Sequence, residues 1–203
     1  MRRPMTLVLI AACLGAAPPA DPPSGATALA ANVAAVVKAF DQLKAPLAVD
    51  AAELKAALAQ PDPTRLHELL EPHVLLSVWV NPESRVKVAR GSARAALRQD
   101  QAVPMLIKVE NDAGVTAALR PFSPQSDPKA KDRFFELAMH TDKPLTATLS
   151  GRSVEYAVLL VTCTQAGRRE ATLAFDVGQG TQDLGFRGEV AVLFTVQARD
   201  AGK

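Results

Sequence analysis

The fold is decided by three apolar runs near the C-terminal end of the sequence: residues 154–164 (VEYAVLLVTCT), 169–177 (REATLAFDV) and 186–197 (FRGEVAVLFTVQ). Each run has the length of a strand and is rich in β-branched and aromatic residues. The segments between them are too short for the crossover that parallel strands need. We therefore predict an antiparallel meander of three strands, with Gln165–Arg168 as a hairpin loop.

The first of these runs is apolar on both faces. Tyr156 and Val158 alternate with Leu159 and Val161, so each side of the strand offers apolar side chains. A strand that is covered on two sides reads as a nearly continuous apolar run. This pattern predicts the central strand of the domain.

Further apolar segments, separated by turn residues, precede the meander. They lie at residues 74–80, 86–88, 103–109, 115–122 and 135–139. About eight short strands with turns between them are typical of a β-sandwich. We predict a mainly β fold over residues 73–197: an immunoglobulin-like antiparallel β-sandwich without the Cys…Trp…Cys framework of antibody domains, followed by a tail at 198–203.

Residues 26–72 predict a short N-terminal helical annex. Apolar residues recur at helical spacing from about Thr27, Asp50 and Asp62 are placed to cap two further helices, and Pro63 suits a first helical position. The apolar stripe could dock on the sandwich, or bind a partner helix or a membrane surface. We favour docking, because a membrane-surface helix is rich in Lys and Arg on its polar face. The polar face of the first helix holds Asn32, Lys38, Asp41 and Gln42.

The pattern of a secretory signal peptide covers residues 1–20. A positive start at Met1–Arg3 precedes a short apolar core at Met5–Ala12, then small residues and prolines. The core is too short for a permanent membrane span, and residues 21–25 form a linker. We expect export to the periplasm or cell envelope.

The two cysteines have different expected roles. Ile10–Cys13 resembles the bacterial lipobox, in which the cysteine is lipid-modified and anchors the protein. Alternatively, Cys13 is a small residue of an ordinary signal, and both readings stay open. Cys163 lies in the central strand and has no intramolecular disulfide partner in the mature chain. We favour an inert buried thiol over a reactive one, because apolar burial hides the sulfur.

The charge balance excludes one class of partner. Lys and Arg number 23 against 21 for Asp and Glu, and Arg2 and Arg3 belong to the leader, so the mature chain is close to neutral. A nucleic-acid-binding domain normally shows a net basic face. We expect no nucleic-acid partner, and membrane contact only through a lipid anchor.

Motifs for catalysis, cofactors or metals are not evident. Gly178–Asp183 begins like a dinucleotide-binding loop, but Asp183 replaces the third glycine and a strand follows where a helix is needed. The histidines His67, His73 and His140 show no metal-ligand spacing. We predict no catalytic residue, no cofactor and no metal.

One end of the sandwich is a candidate binding surface. If neighbouring strands run up and down, the loops 141–153 and 178–185 leave at the same end, where sandwich loops commonly bind partners. The candidate residues are Arg152, Gln182, Asp183 and Arg187. We favour the alternative that they are ordinary solvated loop charges, or that Asp183 and Arg187 brace the loop.

Several segments resemble a known arrangement: Val80–Gly91, Ile107–Asn111 with Gly114–Thr116, and Arg169–Gly180. They are similar to an N-terminal β-rich region of some exported bacterial proteins, which is sometimes found ahead of metal-dependent hydrolase domains of the PHP type. The resemblance covers roughly residues 73–197. The metal motifs of the hydrolase are absent from this sequence, so the resemblance implies an accessory module without catalytic residues.

These observations lead to three functional hypotheses. The first is an exported, non-catalytic envelope module that binds a protein or polysaccharide through loops at one end. The second is a hydrolase-type enzyme with a site built from scattered carboxylates, and the third is a structural spacer. A deep cavity gathering several carboxylates or histidines would favour the enzyme, and a flat loop end would favour binding.

Overall fold

The computed structural model describes residues 25–178 and 187–199. The chain is mainly β, and its described residues form three α-helices followed by strands in two sheets. The helices are α1 (Gly25–Gln42), α2 (Ala51–Ala59) and α3 (Pro63–Leu70). The strands are β1 (Val74–Val80), β2 (Val86–Arg90), β3 (Ala96–Arg98), β4 (Val103–Asn111), β5 (Arg120–Phe122), β6 (Phe135–Met139), β7 (Val154–Cys163), β8 (Gly167–Asp176) and β9 (Gly188–Gln197).

The three C-terminal strands form where the sequence predicts them, but they do not form one meander. β7 belongs to a five-stranded sheet of order β2-β1-β4-β7-β6, whereas β8 and β9 belong to a four-stranded sheet of order β3-β9-β8-β5. The hairpin predicted at Gln165–Arg168 is therefore wrong, because the chain passes from one sheet to the other there. A short link joins antiparallel strands equally well within a sheet and across a core, so the apolar pattern does not distinguish the two.

The prediction of purely antiparallel sheets is also wrong. β1 and β4 run parallel, with Val78 opposite Val109. β3 and β9 also run parallel, with Leu97 opposite Val196. Between β1 and β4 the chain passes through β2 and β3, which gives a connection long enough for a parallel arrangement.

Two apolar clusters hold the layers together. The larger one lies between the sheets and includes Leu159 and Val161 of β7 with Phe175 of β8 and Phe194 of β9. Phe194 also contacts Phe135 of β6, with ring centroids 5.2 Å apart. Burial of this cluster is the main contribution to the stability of the two-sheet body.

The second cluster lies between the helices and the outer face of the first sheet. Val33, Val36 and Phe40 of α1 pack with Tyr156 and Val158 of β7. β7 is therefore covered on both faces, as its sequence predicts, with helices on one side and the second sheet on the other. The apolar stripe of α1 docks on its own sheet.

Side-chain caps fix the starts of the two short helices. Asp50 accepts a hydrogen bond from the N–H of Glu53 at 2.8 Å, and Asp62 accepts one from the N–H of Arg65 at 3.1 Å. Pro63 occupies the first position of α3, where its missing N–H costs nothing. Both predicted caps are present.

Cys163 is fully buried at the end of β7 and is a free thiol. Its Sγ lies 3.3 Å from the carbonyl oxygen of Gln165. This agrees with a thiol that packs in the core. Of the helices within residues 25–178 and 187–199, none has both the length and the hydropathy to cross a membrane.

Candidate functional site

A cavity of about 450 Å³ opens between α1 and the loop that joins β6 to β7. The start of β7 lines it from Val154 to Val158, and Ala28, Ala31 and Ala35 of α1 form one wall. Small side chains on the helix leave the space that larger ones would fill. The volume lies within the range of small-ligand sites in proteins.

Asn32 of α1 holds the floor of this cavity in place. Its Nδ2 donates to the carbonyl oxygen of Tyr156 at 3.0 Å, and its Oδ1 accepts from the N–H of Tyr156 at 2.7 Å. The hydrogen-bond ladder between β6 and β7 ends just after β6, where the N–H of His140 donates to the carbonyl oxygen of Val158. Asn32 therefore supplies the two bonds that a longer β6 would have made to β7.

The loop wall of the cavity is tied to the segment before β5. The N–H of Leu119 donates to the oxygen of Ala147 at 2.8 Å, and the N–H of Leu149 donates to the oxygen of Ala117 at 3.0 Å. Leu145 buries its side chain in the helix cluster. The loop is thus anchored on both sides of the cavity.

Glu155 is the acidic residue among the described residues that line the cavity. Its carboxylate accepts hydrogen bonds from the N–H of Ser150 at 2.9 and 3.2 Å. Burial raises the pKa of Glu155, and the Ser150 hydrogen bonds and the positive charge of Arg152 oppose that rise. A carboxyl group held this way can act as a hydrogen-bond acceptor or, when protonated, as a donor.

His140 contributes an unpaired polar atom. Its side chain is 7% exposed, and its Nε2 has no hydrogen-bond partner among the residues that the structure describes. The nearest acid, Asp142, is 3.9 Å away, too far for a hydrogen bond. Buried polar atoms are normally satisfied, and within the described residues His140 Nε2 and Arg169 Nε are the two buried side-chain atoms without a hydrogen-bond partner.

The residues predicted from the sequence lie in different places. Arg152 is exposed and lines the cavity. Arg187 forms an ion pair with Asp176 at 3.6 Å and lies over the ring of Phe122 at 4.6 Å. Gln182, Asp183 and Cys13 are outside the described residues.

A second polar cluster surrounds the side-chain hydroxyl of Tyr156. His67 Nδ1 is 2.7 Å from the hydroxyl oxygen of Tyr156, and Lys108 pairs with Glu110 at 2.9 Å and Glu71 at 3.8 Å. Burial raises the pKa of Tyr156 far above its ordinary value. Its hydroxyl is buried and already bonded, so it braces α3 against β7. Within the described part of the chain, no three metal-ligating side chains gather.

Sequence reasoning missed Asn32 and Glu155 as site residues. Asn32 was placed on the polar face of its helix, although it lies in line with Ala28 and Ala35. That small-residue stripe was the available signal, because a polar residue within it must find a buried partner. Glu155 gave no such signal, since its position beside the loop 141–153 depends on tertiary contacts.

Comparisons with known proteins give weak likenesses. No protein-family model matches the chain, and no curated protein matches it. A cysteine protease inhibitor from Entamoeba histolytica aligns with 61% of this chain and 95% of its own, at 10% identity and a TM-score of 0.26. The PapD-like domain 7 of human CEP192 aligns with 64% of this chain and 89% of its own, at 9% identity and a TM-score of 0.29. Likenesses this low carry no function over.

Proposed function

We propose that this chain is an exported, non-catalytic module of the cell envelope that binds a partner protein. In this proposal the body is an immunoglobulin-like sandwich with an N-terminal helical annex, and the binding site is the cavity between α1 and the loop 141–153. The carrying observation is that His140, whose buried Nε2 has no hydrogen-bond partner among the described residues, lines this cavity together with Glu155.

The wall chemistry supports a protein rather than a polysaccharide. Apolar groups make up more of the cavity wall than polar groups do, and they include Ala28, Leu119, Leu145 and Val158. A sugar chain carries a hydroxyl on most carbons and needs many hydrogen-bond partners, each of which costs free energy if it is left unmet. A protein side chain with an apolar stem fits such walls.

A test follows from the position of Ala31, which is exposed at the rim of the cavity on α1. Ala31→Phe should narrow the opening, whereas Ala34→Phe changes an exposed residue of the same helix that does not line the cavity. We expect wild type and Ala34→Phe to capture the same envelope protein, and Ala31→Phe to lose it. Equal capture by all three would contradict the proposed site.

A hydrolase is the second candidate, because Glu155 and His140 line one cavity. An acid with a raised pKa that lines the same cavity as a histidine is a feature of active sites. Turnover of p-nitrophenyl esters that vanishes in Glu155→Gln would establish the enzyme. Turnover equal to that of buffer would leave binding as the function.

A further inference from the structure

The charged groups that line the cavity lie at different depths. α1 lines it with Thr27, Ala28, Ala31, Asn32 and Ala35 and contributes no charged side chain. Both carboxamide atoms of Asn32 are used by Tyr156. Among the described lining residues, the charged groups are Glu155, which is half-buried, and Arg152, which is exposed. The more buried of the two charges is therefore the negative one, on Glu155.

In one of its two neutral tautomers, His140 adds an acceptor to this negative charge. A neutral histidine with its proton on Nδ1 has an acceptor at Nε2, and this Nε2 lacks a partner among the described residues. The titratable group nearest to it is Asp142, which is mostly exposed. The ligand inferred below requires this tautomer, because a proton on Nε2 would make that atom a donor instead.

Resting on the proposed function, we infer that the group received by this cavity is a primary ammonium on an apolar stem, presented by a lysine side chain of the partner protein. An ammonium has three donors and no acceptor, which matches the carboxylate of Glu155 and the Nε2 of His140. The methylene stem lies along the alanine wall of α1. Hydrogen bonds between an ammonium and a carboxylate are stronger than those between neutral groups.

The pH dependence of binding has a definite sign. Burial raises the pKa of Glu155 above its ordinary value of 4.5, so the carboxyl takes up a proton earlier than a solvated one as the pH falls. An alkylammonium stays charged throughout this range. Affinity should therefore be highest near neutral pH and fall as the pH drops through the pKa of Glu155. Arg152 stays positively charged throughout and repels the ammonium at every pH in this range.

The first experiment compares two ligands of equal length, hexylamine and hexan-1-ol, by NMR titration of the purified protein. We expect hexylamine to bind about tenfold more tightly, since hydrogen bonds to charged groups exceed neutral ones by about the free energy of one decade of affinity. Glu155→Gln keeps an acceptor for the Ser150 N–H and should remove this preference. Glu136→Gln, an exposed acid on β6 that does not line the cavity, should leave it unchanged.

The second experiment identifies the source of the ammonium. A pentapeptide with a central lysine should bind more tightly than the same peptide with norleucine, and the difference should be lost at acid pH. If hexylamine binds and the lysine peptide does not, a free amine is the ligand and the inference is overturned.

Other results separate this inference from the proposed function. If hexan-1-ol binds as well as hexylamine, the ammonium inference fails while a binding cavity remains. A preference for hexylamine that survives in Glu155→Gln also overturns it. If neither ligand binds and Ala31→Phe still captures the partner, both proposals fail together.

Discussion

The side chain of Asn32 contributes to the stability of the fold through two hydrogen bonds to backbone. It satisfies both backbone groups of Tyr156 beyond the end of β6. We expect Asn32→Ala to lower the free energy of unfolding by about 2 kcal/mol, because a partly buried N–H and C=O lose their partners. Urea denaturation measures this. Lys38→Ala, on the exposed side of the same helix, is the control, and equal stability of both variants would contradict the role of Asn32.

His67 makes stability depend on pH. Burial, then the positive charge of Lys108, lower the pKa of His67 below its ordinary value of 6.5, against smaller opposing effects of Glu110 and Glu71. Below pH 6.5 the unfolded chain takes up a proton that the folded chain resists. The stability contributed by neutral His67 is therefore complete above that pH and is lost as the pH falls through the folded pKa.

The corresponding variant is His67→Gln, which can still bond to Tyr156. We expect its urea midpoint to fall less between pH values above and below 6.5 than that of wild type. His73→Gln, a half-buried histidine just before β1, serves as the control. A wild-type pH profile in His67→Gln would assign the acid sensitivity to another group.

At the scale of elements, two strands come so close to neighbouring backbone that only glycine fits. A Cβ built on Gly91, just after β2, would lie 2.2 Å from the carbonyl oxygen of Val74. At Gly188, the first residue of β9, it would lie 2.6 Å from the oxygen of Val86. The neighbour in each case is backbone, which cannot move aside cheaply.

We therefore expect Gly91→Ala to destabilise the fold by about 2 kcal/mol or more, as overpacked sites do. Gly25→Ala, at the start of α1 with no atom within 4 Å of the added Cβ, is the matched control and should have no such cost. Thermal unfolding of the two variants measures the difference. A Gly91→Ala protein as stable as Gly25→Ala would mean that β1 and β2 relax apart.

The positions of the elements are more predictable than their pairing. The apolar runs at 154–164, 169–177 and 186–197 give β7, β8 and β9 within about two residues, because alternation is a local signal. β3 escaped notice, since it is three residues long with Leu97 as its buried residue. The segment 115–119, which the sequence pattern included in a strand, lies before β5. Sheet membership depends on contacts between distant residues, which no local pattern records.

At the scale of the whole molecule, the candidate site was out of reach of sequence reasoning. Asn32 and Tyr156 are separated by 124 positions, and they meet only because α1 docks where β6 stops. The loop charges were evident in the sequence, but the sequence did not show which of them would reach the cavity. Arg152 lines it, whereas Arg187 forms an ion pair with Asp176. A site formed by a helix laid over a strand end is a property of the assembled fold.

Export is a prediction for the complete protein in its native cells. The expected outcome is a mature chain that begins either at an acylated Cys13 or beyond Ala20, because residues 1–20 have the pattern of a cleaved signal. Intact-mass measurement of the purified native protein distinguishes the two starts. A mass that includes Met1–Ala20 would contradict the proposed export.

The two hydrogen bonds between Asn32 and the backbone of Tyr156 have a consequence for self-association. A strand edge with free backbone groups templates pairing with any extended chain, including another copy of the same protein. Here one carboxamide occupies the place where such pairing would begin, so the helical layer protects the molecule against aggregation as well as contributing apolar packing. Loss of α1 would expose that edge and favour strand exchange between copies of the chain.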